Sequence, residues 1–246
     1  MIKIPEEINL ENYTLIIPSV AVGNVGQLCT DLLIFNLNLT KVGSMWNPAF
    51  LPICGLDPYN RNSKSLCTTA DFYLGTNYQI IVLHIRAPHI GHLNDFFDEI
   101  AQFTKQKKIS KIIILTSSYD YECADKSDSS LRYLTTDNSL LSNKKLLESF
   151  TWKKHMKKTL TESVEQHYIP GGGFANGFYH YLKSVEIPCT VLFCYCSEGD
   201  NIPDAFILFE GLNEWLHLLK GNIDCDIKYP PSWEYLFGNL PPLVIY

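Results

Sequence analysis

Several groups of side chains in this sequence have types and spacings that could do chemistry. Gly23-Asn24-Val25-Gly26 links an extended stretch to a helical one, and the free N–H groups at such a helix start can hold a phosphate or another anion. The motif has neither the third glycine of a dinucleotide fingerprint nor the lysine of a P-loop. Ser117 and Ser118 follow an apolar run, where the carboxyl end of a strand in an α/β protein often carries chemistry. No Gly-x-Ser-x-Gly elbow surrounds them. His84, His89 and His92 fall close together, and Cys194 and Cys196 share one face of a strand; neither group has the further ligands that a zinc ion needs. Glu198 and Asp200 form an acid pair, placed where carboxylates favour the start of a helix in any case. An enzyme acting on a nucleoside or a phosphate ester near Asn24 and Ser117 is one reading. It lacks a base, an elbow and a phosphate lysine. No cofactor and no metal are expected.

The elements that must position these groups follow from pattern. Residues 189–196 are an apolar run short enough for a strand covered on both faces. Ser197-Glu198-Gly199-Asp200 is a turn, Asn201 a helix cap, and Pro203 and Asp204 suit a first turn. Ala205, Leu208, Phe209, Leu212, Trp215, Leu216 and Leu219 make one stripe, flanked by Phe206, Ile207 and Leu218, and Lys220-Gly221 closes the helix. A helix this apolar must be covered on more than one side, by its own fold or by another subunit.

Upstream, Tyr13–Pro18 reads as the first strand. Asn24 caps the next helix with Gln27 completing a capping box, and Val25, Leu28, Cys29, Leu32, Leu33 and Phe35 face inward. Extended pieces follow at 42–46 and 50–54. Those at 66–74 and 79–86 pair as a hairpin, which makes the sheet mixed. Leu93, Phe96, Phe97, Ile100 and Phe103 mark a helix, and 111–115 a buried strand. Residues 117–142 lose periodicity and read as a polar surface loop. The fold class is α/β, a mixed β-sheet flanked by helices, in a single domain over residues 1–239 with a tail at 240–246.

Composition limits the function. The chain has 246 residues, 46% of them hydrophobic and 19% charged, which excludes wholesale disorder. A net charge of −6 opposes nucleic-acid binding and attraction to anionic membranes. No apolar run spans a membrane, and MIKIPEEINLENY is too polar and acidic for a signal peptide. Eight cysteines without such a signal indicate a reducing compartment, hence the cytoplasm, with the nucleus left open. Cys29, Cys189, Cys194 and Cys196 then serve as small core hydrophobes.

Three stretches suit binding. Lys144, Lys145, Lys153, Lys154, Lys157 and Lys158 hold six of the 20 basic residues within 144–158, as a solvated face or a dock for an acidic partner. Gly171-Gly172-Gly173 is a turn or a close backbone approach. In the tail, Pro241 and Pro242 precede Leu243, Val244, Ile245 and Tyr246, which can enter a pocket or pack on the chain's own body.

Four blocks in order, PSVAVGNVGQLCTDLLI, IPGGG, SEGDNIPDAFILFEGLNEWL and PPSWEYLFGNLPP, resemble the PAC2 family of proteasome assembly chaperones over nearly the whole chain. The resemblance implies an α/β sandwich of the nucleoside-phosphorylase type without a catalytic site. It implies a heterodimer with proteasome assembly chaperone 1 that promotes the α-subunit ring of the 20S proteasome. It makes Gly23, Asn24, Gly26, Gln27, Glu198, Gly199, Asp200, Asn201 and Trp215 part of a scaffold or pairing surface. Leu243, Val244, Ile245 and Tyr246 become the ring contact. Pocket-entering tails of proteasome activators read hydrophobic, tyrosine, then one last residue; here Tyr246 is itself last, a register shift of one.

Overall fold

A computed structural model describes residues 1–123, 129–155, 158–161, 164–219 and 227–235. The strands are β1 (Ile2–Lys3), β2 (Thr14–Pro18), β3 (Thr40–Met45), β4 (Cys54–Leu56), β5 (Leu66–Thr68), β6 (Ala70–Gly75), β7 (Ile80–Ile85), β8 (Lys111–Tyr119), β9 (Leu131–Thr135), β10 (Lys153–Lys154), β11 (Lys158–Thr161), β12 (Val164–Gln166) and β13 (Cys189–Cys196). The helices are α1 (Val25–Asn36), α2 (Asn94–Gln106), α3 (Asn138–Ser142), α4 (Lys144–Ser149), α5 (Ala175–Ser184) and α6 (Ile202–Leu216).

Among the described residues, nine strands form one mixed sheet in the order β1-β3-β6-β7-β2-β8-β13-β9-β10. Its centre, β7-β2-β8-β13, is parallel. These strands are runs such as Ile80–Ile85 and Lys111–Leu115, apolar at both parities, so both faces must be covered. Leu15, Ile17, Ile112, Ile114, Val191 and Phe193 face one core, shared with Phe96, Ile100, Phe178 and Leu182 of α2 and α5. Ile16, Ile113, Leu115, Leu192 and Cys194 face the other, shared with Cys29, Leu33, Leu208 and Leu212 of α1 and α6. The result is a helix–sheet–helix sandwich, as the patterns predict. The hairpin β6–β7 turns through a short 3-10 segment at Thr76–Tyr78.

Three expectations are corrected. Among the described residues of the polar stretch at 117–142, residues 117–119 and 131–135 are strands of the sheet, not surface loop. β8 runs on to Tyr119, β9 pairs antiparallel with β13 inside the sheet, and Asp137 caps α3 by accepting from the Ser139 N–H. Cross-strand pairing and buried hydroxyl donors outweigh the polar composition here. Second, α6 ends at Leu216, where His217 takes a left-handed conformation (φ 50°) and Asn213 reaches over to the Leu219 N–H, 2.8 Å away; Lys220 and Gly221 lie outside the described residues. Third, the capping box at Asn24 and Gln27 does not form, for reasons given below.

The lysine-rich segment is divided by the fold. Phe150 and Trp152 are buried, with Trp152 Nε1 donating to Gly211 O at 3.1 Å. Lys144 and Lys145 on α4, and Lys153 and Lys154 on the edge strand β10, are exposed; lysines on an edge discourage further strand pairing. The side chains of Lys157 and Lys158 lie outside the described residues. No helix among the described residues is long and apolar enough to cross a membrane.

Candidate functional site at the carboxyl ends of the central strands

The carboxyl ends of β2, β8 and β13 lie side by side, where an open α/β sheet ordinarily binds its ligand. Here two turns occupy that place. The first follows β2: Ser19 N–H donates to Leu115 O at 2.8 Å, and Val22 N–H donates to Gly171 O at 3.0 Å. The second is Gly171-Gly172-Gly173. Gly172 O accepts from the Ser19 and Thr116 hydroxyls, each at 2.9 Å, and Pro170 O accepts from Ser118 Oγ at 2.8 Å. Ser117 Oγ turns to the other side of the sheet and donates to Val22 O at 2.5 Å. Successive strand residues point to opposite faces, so Thr116-Ser117-Ser118 fastens one turn on each side. Gly173 sits at φ 60°, and a Cβ there would overlap Val20 O. Only glycine allows the two turns to close on each other.

The residues singled out near positions 24 and 200 do meet. Gly23 lies against the side-chain amide of Asn201, and a Cβ on Gly26 would stand 2.5 Å from Leu115 O, so α1 is seated directly on β8. Asn24 is left-handed (φ 52°) and makes no side-chain cap. Gln27 instead donates from Nε2 to Ile85 O at 3.1 Å. Asn201 is buried and spends its Nδ2 on Ser197 O (2.7 Å) and Asp204 Oδ2 (3.0 Å). The start of α6 is served by Asp200, which accepts from the Ile202 N–H at 3.1 Å. Glu198, Gly199 and Asp200 form an exposed rim.

Trp215 is not part of this constellation. It is buried at the opposite end of α6, edge-on to Trp152 at 5.7 Å, with Lys111 Nζ 4.5 Å above its ring. It packs in the core of the chain, as a scaffold residue does. Leu243, Val244, Ile245 and Tyr246 lie outside the described residues.

The chemical roles considered for this region dissolve in the geometry. The Ser117 hydroxyl is buried and committed to a backbone carbonyl. Burial pushes the Cys194 thiol well up and the Cys196 thiol to about 11, the reverse of nucleophile activation. Burial also raises the Asp204 carboxyl, against the hydrogen bond from Asn201 that lowers it. His84 points into the protein while His89 and His92 are exposed, so the three do not converge. Among the described residues, no group of three or more His, Cys, Asp or Glu could hold a metal ion.

A polar cluster that pattern reading missed lies beside α1. Asp31 accepts from Tyr59 OH at 2.6 Å and from Trp233 Nε1 at 3.4 Å, with Arg86 3.6 Å and His84 Nε2 3.3 Å away. His84 Nδ1 meets Thr30 Oγ1 at 2.7 Å, and Arg86 also donates to the hydroxyls of Tyr59 and Tyr73. Burial, then the charge of Arg86, drives His84 well below its ordinary value. Burial raises the Asp31 carboxyl although Arg86 and three hydrogen bonds oppose it. The cluster ties α1, the β6–β7 hairpin and the loop at 57–61 to residues 227–235. Asn36 adds a two-way clamp on the Lys228 backbone at 2.8 and 2.9 Å. The available signal was a single Asp in an apolar helix and a single His in an apolar strand.

The comparisons with known proteins bear on this arrangement of turns. Residues 15–218, which contain both turns, β13 and α6, match the model of the PAC2 family. The chain belongs to the PAC2 family. It is 37% identical over 243 residues to "Proteasome assembly chaperone 2" of Xenopus laevis, covering 94% of each chain. It is 35% identical over 251 residues to the human protein of that name, covering 95% of each. The fold resembles Pyrococcus furiosus PbaA, described as an archaeal homolog of proteasome-assembly chaperone, with a TM-score of 0.67 at 18% identity over 91% of this chain and 88% of that one. It also resembles P. furiosus PbaB, described as an archaeal proteasome activator, with a TM-score of 0.65 at 15% identity over 91% of each. The resemblance seen in the four sequence blocks and the mixed α/β fold both agree with these findings. PAC2 relatives bear a chaperone's name, which describes a non-catalytic role.

Proposed function

We propose that this chain is a non-catalytic chaperone of proteasome assembly. It works as a heterodimer with proteasome assembly chaperone 1 and promotes and stabilises the α-subunit ring of the 20S proteasome, in the cytoplasm. The observation that carries this reading is similarity over nearly the full length to proteins named proteasome assembly chaperone 2. The strand ends support it, because turns and buried hydroxyls fill the place where an enzyme on this frame would receive a substrate. The pairing surface is assigned to the exposed rim at Glu198-Gly199-Asp200 and the adjoining turn at Gly23-Asn24. The ring contact is assigned to Leu243, Val244, Ile245 and Tyr246.

Affinity capture of the intact chain from its own cells tests the reading. Recovery of one related chaperone in equal amount with several α subunits, and no mature β subunits, is the expected result. A lone monomer at low salt would overturn it. Deleting residues 240–246 should weaken capture of the ring and leave the heterodimer intact.

A further inference from the structure

The hairpin β4–β5 carries an apolar surface that the fold does not use. Leu56 and Leu66 are direct cross-strand partners, so their side chains stand together on one face. They are 71% and 56% exposed. Two adjacent exposed leucines give this two-stranded arm a small apolar surface that an occupant could cover.

The occupant is indicated by where the described chain stops. Residues 231–235 form a short 3-10 turn held against the loop that joins these two strands. Ser232 N–H donates to Pro58 O at 3.2 Å, Arg61 donates to Pro231 O at 3.2 Å, and Arg61 pairs with Glu234. Pro58 is two residues from Leu56, a distance of at most about 7 Å along the chain. From Tyr235 to Leu243 is eight residues, which span up to about 28 Å when extended. The stretch contains Pro241 and Pro242, and the four residues after them, Leu-Val-Ile-Tyr, are apolar or aromatic. The tail therefore reaches the hairpin with slack, starting from an anchor already clamped beside it. A tether this short holds even a weak contact closed through its high effective concentration.

We propose that Leu56 and Leu66 form the resting dock for this chain's own tail, Leu243–Tyr246, and that the α ring competes with the hairpin for the tail. The competition rests on the ring contact proposed above; the dock itself does not. Docking shields the tail from other apolar surfaces until a ring is present.

The test uses the intact chain alone. Hydrogen exchange of the amides at Leu243–Tyr246 is compared in the native chain, in the double variant L56D/L66D, and in L141D, which charges an exposed leucine elsewhere. The expected result is exchange slowed about tenfold or more in the native chain and in L141D, and free exchange in L56D/L66D. Equal rates in all three overturn the proposal. So does tail exchange in L56D/L66D as slow as in the native chain, which would place the tail on another surface. Because no ring is present, failure here is separate from failure of ring capture by the chain lacking residues 240–246.

Discussion

The carboxyl ends of β2, β8 and β13 and the hairpin β4–β5 invert the usual relation between polarity and exposure. Thr116, Ser117 and Ser118 are polar and wholly buried, while Leu56 and Leu66 are apolar and exposed. At the strand ends each hydroxyl has a carbonyl partner from a distant turn, so burial leaves no donor unmet. On the hairpin nothing among the described residues covers the leucines. A buried polar run with every hydroxyl paired is a fastening, and an exposed apolar pair is a place for contact. The molecule has closed the face where the fold could do chemistry and left an apolar pair exposed on another.

Substitutions can break or sharpen this contrast. The largest effect expected is at Trp215, where alanine should cost about 3–5 kcal/mol in urea denaturation, because the ring fills the core beside Trp152. Stability unchanged with partner affinity lost would return Trp215 to an interface. Gly173→Ala should cost about 2–4 kcal/mol, from strain at positive φ and from the overlap with Val20 O. A neutral outcome there would mean that the two turns are not locked together.

The pH dependence should come next. His84 is held well below its ordinary value of 6.5, so the native state stays neutral while the unfolded chain takes up a proton. Its contribution is complete above that ordinary value and is lost as pH falls below it, by up to about 1.4 kcal/mol per pH unit. Asp31, whose carboxyl is raised by burial, acts with the opposite sign, gaining stability as pH falls through its folded value. Thermal unfolding between about pH 7.5 and 5.5 should therefore show a slope that His84→Gln flattens; an identical slope in the variant would contradict the buried neutral histidine. The smallest effect is at the hairpin, where L56D/L66D should change stability by no more than about 0.5 kcal/mol. A large loss would show the leucines to be structural.

The same contrast marks what the residues revealed in advance. β13 was legible to the residue, because a short run with one polar position admits little else, and so was the stripe of α2; the hairpin was legible in outline only, since the run 66–74 divides into β5, which pairs with β4, and β6. The extension of β8 and the whole of β9 were not. Thr116, Ser117 and Ser118 look like loop until their acceptors at Val22, Pro170 and Gly172 are brought up by the fold, and Arg132 and Thr135 dilute the β9 pattern. The early stop of α6 depends on His217 turning left-handed, which leaves no signature in an apolar run. Of the candidate site, the meeting of the turn at Gly23 with Asn201 follows from strand order. The cluster around Asp31 does not, since its members come from five separate stretches.

The most direct test of the central claim is reconstitution with purified α subunits, this chain and its proposed partner, proteasome assembly chaperone 1, with ring formation followed on native gels. The account predicts that the pair raises the yield of seven-membered α rings, that removing residues 240–246 lowers that gain, and that Ser117→Ala leaves it unchanged. Ring yield indifferent to the pair, or a gain abolished by Ser117→Ala in a chain that remains folded, would contradict it.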